Sequence, residues 1–280
     1  MTRLSGKTVL VTGAASGIGR LMALDIAHRG ATVVAWDIHR EPLDDLVREI
    51  SALGGRAAAF TCDVGDRAAV EETAERVQRE VGAVEVLVNN AGVVSGRPLL
   101  ELTEDDIERT FRVNVLAHFW TIRAFLPAMV EQGSGHIVTI ASAAGLLGIP
   151  RMTDYAASKH AAVGLAESLR LELSRTAPGV RTTLVCPSYI DTGMFEGAEV
   201  RARHLIPMLR AEDVSAAVVR AVEQDREQLL MPLMVNTISP LRVLPTRVFD
   251  ATARMLGIAS SMDRFVGRRT EQDPAQRASG

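Results

Sequence analysis

Two residues four positions apart, Tyr155 and Lys159, have side chains that could move a proton together. On a helix this spacing places both side chains on the same face. A free tyrosine has a pKa of ~10, but a nearby ammonium favours the phenolate and lowers that pKa. The pair could then exchange a proton with an alcohol or carbonyl oxygen that the hydroxyl of Ser142 holds in place. Without further motifs, the same pair is also compatible with an ordinary contact on a helix surface.

A glycine-rich segment, residues 12–19, reads TGAASGIG. It follows a short apolar run and opens a stretch with helical periodicity. Glycine permits a tight turn and lets backbone N–H groups approach a phosphate, which the N-terminus of a helix favours. We expect Gly13, Ser16, Gly17, Ile18 and Gly19 to contact a dinucleotide. A plain tight turn is the alternative, because the spacing G-x-x-x-G-x-G is not the commonest one.

Asp37 ends the next predicted strand. An acidic residue there can accept hydrogen bonds from the ribose hydroxyls of adenosine and repels a 2′-phosphate, so it favours NAD(H) over NADP(H). His39 and Arg40 keep NADP(H) open as the less favoured cofactor. A solvated loop carboxylate is the alternative interpretation of Asp37.

Two further strand ends carry small or polar residues. In the segment CDV, Asp63 and its neighbour Val64 could meet the adenine, although an ordinary turn aspartate explains Asp63 equally well. In the segment NNAG, we expect Asn90, Ala91 and Gly92 to lie along the cofactor. Small residues permit close approach, and asparagine side chains satisfy neighbouring backbone groups.

Asn114 sits within an otherwise apolar helix face. A buried amide needs hydrogen-bond partners, so Asn114 could disrupt the helix locally and hold a water near Lys159. A helix N-cap or an exposed amide is the alternative.

The elements that must position these residues alternate along the chain. Short apolar runs, typical of buried strands, alternate with segments of helical periodicity. Strands are predicted over 8–12, 31–36, 57–61, 84–88, 136–141, 182–186 and 228–231. This alternation predicts an α/β fold: a single-domain, Rossmann-type, doubly wound parallel sheet with helices on both faces.

Taken together, these motifs resemble the short-chain dehydrogenase/reductase family in order and spacing. The residues that carry the resemblance are 12–19, Asp37, 62–64, 89–92, Asn114, Ser142, YAASK at 155–159, and 187–192. The resemblance implies that Ser142 orients the substrate oxygen and that Tyr155 is the general acid/base. It implies that Lys159 lowers the pKa of Tyr155 and binds the nicotinamide ribose, while Asn114 completes a proton relay.

The resemblance also places Pro187, Ile190 and Thr192 beside the nicotinamide, with Ser188 where the family commonly has glycine. Residues 1–232 are then expected to form the catalytic domain, with a substrate lid at 188–210. In that lid we expect Met194 and Phe195 to touch the substrate. An apolar lid suits a bulky, lipid-like substrate, although these side chains could equally serve to pack the lid down.

We expect residues 233–269 to form an amphipathic C-terminal extension of the same domain, and residues 270–280 a disordered polar tail. Between 241 and 269 arginine outnumbers acidic residues, so this extension could lie on an anionic membrane surface. In the other interpretation, the extension is a helix that packs beside the substrate cleft or on another subunit. The extension and the DTGMF segment resemble, more loosely, the retinol and 17β-hydroxysteroid dehydrogenase branch of the family.

Composition narrows the function classes further. The net charge of −3 shows no bias toward nucleic acid, and no metal site is expected. Cys62 and Cys186 resemble buried strand residues, which fits a reducing cytoplasm. The N-terminus lacks a signal-peptide pattern, and no apolar run approaches the ~20 residues that span a bilayer.

The sequence therefore predicts an NAD(H)-dependent oxidoreductase acting on an alcohol and its ketone or aldehyde, with a retinoid-, steroid- or lipid-like substrate favoured. A small polar or acyl-chain substrate is the alternative. A regulator that senses NADH without turnover and a sugar-nucleotide epimerase are less favoured. Apolar residues on several faces of the helices over 104–129 and 155–175 predict a homodimer or homotetramer.

Overall fold

The computed structural model describes residues 1–202 and 204–267. The strands are β1 Thr8–Thr12, β2 Thr32–Asp37, β3 Arg56–Thr61, β4 Val86–Asn89, β5 Gly135–Ile140, β6 Val180–Pro187, β7 Ile190–Asp191, β8 Leu209–Arg210 and β9 Gln228–Met231. The α-helices are α1 Gly17–His28, α2 Arg40–Ala52, α3 Arg67–Glu80, α4 Glu104–Phe111, α5 Ala117–Glu131, α6 Thr153–Thr176, α7 Ala211–Glu223, α8 Ile238–Leu241 and α9 Thr246–Leu256. Every predicted strand is present, with ends that differ by at most two residues.

Seven strands form one parallel sheet in the order β3-β2-β1-β4-β5-β6-β9. Strands of such a sheet are buried on both faces and therefore read as continuous apolar runs. In β1, Val9 and Val11 pack with α1 and α7 on one face, whereas Leu10 packs with α3 and α5 on the other. This arrangement confirms the predicted doubly wound α/β fold with helices on both faces.

The start of the long helical region is encoded locally. Thr103 and Asp106 form a capping box, in which each side chain accepts a hydrogen bond from the other residue's backbone N–H. Helices α4 and α5 are then joined through a π-helical turn, Arg112–Leu116. The combined stretch Glu104–Glu131 is long and apolar enough to span a membrane, with a mean hydropathy of 1.3 in its most apolar window, contrary to the sequence expectation. Half of that window is buried against the rest of the fold.

The C-terminal extension folds back over residues of the predicted lid through backbone hydrogen bonds. Glu199 N donates to Ser261 O at 2.8 Å, and Val266 N donates to Glu196 O at 2.9 Å. Gly197 has a φ of +83°, and a Cβ there would lie 2.0 Å from Arg264 O, so this crossing requires glycine. Lid and extension thus form one layer above the carboxyl ends of the strands. The predicted basic residues Arg268 and Arg269 and the predicted tail 270–280 lie outside the described residues.

Candidate active site

The candidate residues converge where the sheet order reverses. Strands β1 and β4 are neighbours, but the chain leaves β1 toward β2 on one side and returns to β4 on the other. In open parallel sheets, the carboxyl ends of the strands at such a point form a crevice that binds ligands. The glycine-rich turn follows β1, Asn90 follows β4, Ser142 follows β5, and Pro187 ends β6.

The glycine-rich turn is fixed by backbone contacts. Gly13 and Gly17 have positive φ values of 67° and 54°. A Cβ on Gly19 would lie 2.1 Å from Gly13 O and 2.5 Å from the Nδ2 of Asn90, so no side chain fits there. Ser16 stands at the N-cap of α1, followed by Ile18 in the first turn, and that turn contains no acidic residue. A helix N-terminus with this donor set fits the pyrophosphate of a dinucleotide.

The segment 89–92 supports the same turn from the side of β4. The Asn90 side chain donates from Nδ2 to Thr12 O at 2.8 Å, and the backbone N–H of Ala91 donates to the Thr12 hydroxyl at 3.0 Å. Gly92 lies next to two predicted catalytic groups. A Cβ there would lie 3.4 Å from Asn114 Oδ1 and 3.6 Å from Lys159 Nζ.

Asp37 lies directly against the glycine-rich turn. Its Oδ2 accepts a hydrogen bond from Ala15 N at 3.1 Å, and its Oδ1 accepts one from His39 N at 3.1 Å. The side chain is only 10 % exposed, so Asp37 is not the solvated loop carboxylate of the alternative interpretation. A carboxylate at this position fits the hydroxyls of a ribose.

Asp63 is a turn aspartate in the structure. Its Oδ1 accepts a hydrogen bond from Gly65 N at 2.8 Å, while Val64 is buried in the core beside α3. This geometry matches the plain alternative that the sequence left open for Asp63, and its carboxylate remains exposed at the end of β3.

Asn114 is fully buried in the π-helical turn, which is the local disruption that its sequence context suggested. Its Oδ1 accepts a hydrogen bond from Val93 N at 2.9 Å. Its Nδ2 donates to Val93 O at 2.9 Å and to the Ser158 hydroxyl at 3.0 Å. The amide therefore ties the loop after β4 to α6, rather than capping a helix or facing solvent.

Ser142 is held at the end of β5. Its Oγ accepts a hydrogen bond from Ala144 N at 3.1 Å and donates to Pro187 O at 3.4 Å. The hydroxyl therefore sits between the ends of β5 and β6. Ile190 is buried in β7, and Thr192 N donates to Ile190 O at 2.9 Å, so both follow Pro187 along the same edge.

Tyr155 and Lys159 are both buried in the first turns of α6. Lys159 Nζ donates to Ile140 O at 2.9 Å and lies 5.8 Å from the centre of the Tyr155 ring. Burial disfavours the charged form of each group. It lowers the pKa of Lys159 to about 8 and raises the pKa of Tyr155 to about 12, opposed by a hydrogen-bonding contribution from Ser142.

The raised pKa of Tyr155 reflects its burial, and the lowering of that pKa by Lys159 stays a prediction. Desolvation is the dominant effect, because rings from distant parts of the chain pack around the phenol. Phe195 meets Tyr155 edge to face with centroids 6.0 Å apart, and Tyr189 meets Phe195 in the same way at 5.4 Å. In this state the tyrosine keeps its proton at neutral pH.

An apolar cleft opens beside Ser142 and extends under the C-terminal extension. It contains roughly 900 Å³ of space, its open mouth included. Its walls come from the loop after β5, from the lid and from residues 234–258, and they include Phe195. Met194 packs against the same apolar cluster but is not part of the wall.

Sequence reasoning missed several residues that shape this site. Asp154 is buried at the start of α6, where its carboxylate accepts hydrogen bonds from Ser95 and Thr110, each at 2.9 Å. These bonds fix the residue next to Tyr155. His118 is also buried, and burial together with the charge of Lys159 lowers its pKa to about 3. A polar residue within an apolar helical pattern was the available signal for His118, whereas Asp154 stands next to Thr153 and carries no such signal.

Known proteins match this chain over most of its length. The family model described as short chain dehydrogenase matches residues 7–202. Epidermal retinol dehydrogenase 2 of Mus musculus is 42% identical over 271 residues, which cover 95% of this chain and 87% of that protein.

Solved structures agree with the fold. A short chain dehydrogenase/reductase from Burkholderia phymatum in complex with NAD matches with a TM-score of 0.78 at 32% identity, covering 85% of this chain and 94% of that one. A metagenomic short-chain oxidoreductase in complex with NADP matches with a TM-score of 0.70 at 33% identity, covering 82% and 98%. Relatives of this fold therefore include complexes with both dinucleotides.

Proposed function

This chain belongs to the short chain dehydrogenase family, and from that premise we propose that it interconverts an apolar alcohol and its carbonyl compound with NAD(H). That it is an NAD(P)-dependent oxidoreductase follows from the family. The observation that carries the finer proposal is the position of Ser142, which is buried between β5 and β6, lines the apolar cleft and is a hydrogen-bonding neighbour of Tyr155.

We assign the proton steps to the chain's own residues. The nicotinamide ring supplies the hydride chemistry when the dinucleotide is bound. The Ser142 hydroxyl orients the substrate oxygen, and Tyr155 donates a proton to a carbonyl oxygen or removes one from an alcohol. Lys159 would hold the ribose of the nicotinamide half of the dinucleotide, and it supplies positive charge near the phenol. Asn114, which ties α6 to the loop after β4 through Ser158 and Val93, would complete the proton relay as the family resemblance implies.

The proposed preference for NAD(H) rests on Asp37. Its carboxylate is buried against the glycine-rich turn, where a 2′-phosphate would meet a negative charge at close range. The His39 side chain lies within hydrogen-bonding distance of Asp37 and is 65 % exposed. It could offer a positive charge to a 2′-phosphate only when it is protonated. Turnover and dissociation constants for the two dinucleotides, measured on the purified protein, test this preference directly. A tighter and faster reaction with NADP(H) contradicts it.

The proposed substrate class is a bulky apolar alcohol such as a retinoid. The cleft wall is almost wholly apolar, and a relative 42% identical is named a retinol dehydrogenase. A screen with NAD+ across retinoids, steroids, long-chain alcohols and small polyols tests the class. Higher kcat/KM for small polyols than for every apolar alcohol contradicts it.

We further propose that the chain assembles as a homodimer or homotetramer through α5 and α6. Phe119 and Leu171 are large apolar side chains that are 44% and 57% exposed on these helices. Contact with a second copy would bury that surface, at about 25 cal/mol per Å2. It would also explain why only half of the apolar helix window is buried within one chain. A monomer in light scattering at micromolar concentration contradicts this assembly.

We also propose that this protein works in the cytoplasm and touches membranes peripherally. Cys62 and Cys186 are both buried and unpaired, as suits a reducing compartment. Near the cleft, the extension presents exposed apolar and basic side chains, which we call the C-terminal surface: Leu233, Arg242, Val243, Arg247, Val248 and Arg254. Such a mixture suits an anionic lipid surface.

Cosedimentation with vesicles tests the membrane contact. Reversing Arg242, Arg247 and Arg254 to glutamate should abolish binding to vesicles that contain phosphatidylserine. Reversing three exposed arginines of α2 and α3, Arg48, Arg67 and Arg79, is the matched control. Equal binding by both variants contradicts a role for the C-terminal surface.

A further inference from the structure

The polar groups of the cleft are distributed unevenly along it. Its wall contains no charged side chain among the described residues, and its hydroxyl groups belong to Ser142, Ser188, Tyr189, Thr237 and Thr252. Ser142 and Ser188 lie at the floor, at the carboxyl ends of β5 and β6. The far wall is formed by residues of α8, α9 and the turn before them. The cleft can bind a ligand oxygen that only accepts hydrogen bonds where a hydroxyl still has a free proton to donate.

At the far wall, both threonine hydroxyls already donate their hydrogen bond to a backbone carbonyl of their own helical segment. Thr237 Oγ1 donates to Met234 O at 2.7 Å, and Thr252 Oγ1 donates to Val248 O at 3.0 Å. The Tyr189 hydroxyl pairs with Ser261 Oγ at 2.8 Å, and Ser261 itself donates to Ile258 O, so the tyrosine proton is committed as well. A hydroxyl has one donor and two acceptor positions. The far wall thus offers acceptors but no free side-chain donor among the described residues.

At the floor the situation is the opposite. Ser188 Oγ is buried without a hydrogen-bond partner in the described part of the chain. It follows directly on Pro187, whose carbonyl accepts the Ser142 hydroxyl. A buried hydroxyl without a partner is costly, and the cleft is where a partner can come from. The floor therefore has an uncommitted donor next to the proposed catalytic serine.

We propose that the cleft selects substrates that carry oxygen at the reacting end only, and that Ser188 hydrogen-bonds that end. This inference rests on the proposed function and narrows its substrate class. An oxygen that can only accept, such as a distal ketone, would lose its water at the far wall and find no free side-chain donor among the described residues there. A retinoid-like alcohol with a hydrocarbon far end meets the condition, whereas a steroid that carries a ketone opposite its reacting alcohol does not.

Matched substrates test the proposal. A straight-chain primary alcohol is compared with an analogue in which a methylene group near the far end is replaced by a ketone. The ketone analogue should lose about 10- to 10²-fold in kcat/KM, the scale of an unsatisfied buried acceptor. Equal kcat/KM for the two compounds overturns the proposal. Absence of turnover with every apolar alcohol would instead contradict the proposed function itself, so the two failures are distinguishable.

A donor placed at the far wall should reverse the selection. Met234 lines the cleft, and Met234→Gln is close in shape while adding an amide donor. In this variant, kcat/KM for the ketone analogue should rise at least several-fold relative to kcat/KM for the plain alcohol. Met255, on the outer side of α9 and 69% exposed, provides the matched control Met255→Gln. Restoration by both variants, or by neither, contradicts the assignment of the far wall.

The floor is tested separately through Ser188→Ala. This variant should raise KM for both alcohols by about 3- to 10-fold, the scale of one hydrogen bond, without changing the dissociation constant for NADH. A change in NADH affinity with unaltered KM would assign the hydroxyl to the cofactor and overturn its role in substrate binding.

Discussion

The two sides of the active site are held together by different kinds of contact. On the glycine-rich side, formed by residues 12–19, Asp37 and 89–92, backbone atoms approach each other so closely that a single added methyl group does not fit at Gly19. On the cleft side, formed by the lid and residues 233–267, the walls are side chains such as Phe195, Met234 and Phe249. These residues come from segments far apart in sequence.

This difference bears on what each side tolerates. The glycine-rich turn is held by contacts between backbone atoms. A substitution that shifts the backbone at one residue therefore displaces the neighbouring residues of the turn as well. A cleft wall is a sum of many apolar contacts, each of which is small. Single substitutions in the cleft wall can therefore change the ligand, whereas a substitution at a closely packed glycine such as Gly19 should disturb the whole dinucleotide site. Five predictions test this contrast.

The largest effect is expected where the two sides meet, at Tyr155. Tyr155→Phe should lower turnover by about 10²- to 10⁴-fold, the scale of a general acid/base, and should leave NADH binding intact. The chain contains one other tyrosine, Tyr189, whose hydroxyl is bonded to Ser261. Tyr189→Phe is the matched control and should change turnover by less than about ten-fold. Near-wild-type turnover of Tyr155→Phe rules out the assignment.

The same residue predicts a direction for the pH dependence. Because burial raises the pKa of Tyr155 to about 12, the phenol can donate a proton at neutral pH, whereas alcohol oxidation needs the deprotonated form. Oxidation should accelerate as pH rises above neutrality, and carbonyl reduction should not. The rise of the oxidation rate with pH should become weaker above the Lys159 pKa of about 8, because Lys159 then loses the positive charge that favours the phenolate. An oxidation rate independent of pH contradicts this account.

On the glycine-rich side, Gly19→Ala should weaken NADH binding by about 10²-fold, the effect of displacing binding groups by roughly an ångström. Its Cβ would collide with Gly13 O and the Asn90 amide. Gly164→Ala, in the middle of α6, is the control, because a Cβ there meets nothing within 4 Å. The control should gain about 0.5–1 kcal/mol of stability from helix propensity. If Gly19→Ala bound NADH as tightly as the wild type, the glycine-rich side would not be less tolerant of substitution than the cleft side.

Asp37→Ser should reduce the preference for NAD(H) over NADP(H) by about ten-fold or more, the scale of a hydrogen bond to a charged group. The variant also removes the negative charge that repels a 2′-phosphate. Asp63→Ser is the matched control, since the Asp63 carboxylate accepts its hydrogen bond from Gly65 N within its own turn. An equal change of preference in both variants would show that net charge, rather than the position of Asp37, sets the choice.

The glycine-rich side could be predicted from sequence because its determinants are local. Gly13 and Gly19 precede and open a helix, and Asp37 ends a strand, so their neighbours in space follow from the fold. The pKa of Tyr155 could not be predicted, since it depends on burial by Phe195 and Tyr189. The cleft walls in α8 and α9 carry no motif, and their positions depend on backbone bonds between the extension and the lid.

The smallest effect is expected on the cleft side, where Phe249→Ala removes one wall residue. It should raise KM for an apolar alcohol by roughly ten-fold, equivalent to losing about 1.4 kcal/mol of apolar contact, and should leave KM for a small polar alcohol and NADH affinity unchanged. Asp250→Ala, the exposed neighbour on α9, is the control in lipid-free assays. Because truncation could also loosen α9, Phe249→Leu serves as a second variant that keeps an apolar side chain and should retain most of the affinity. If Phe249→Ala instead impaired both alcohols and NADH binding alike, α9 would be acting on the whole fold, and the two sides would not be separable.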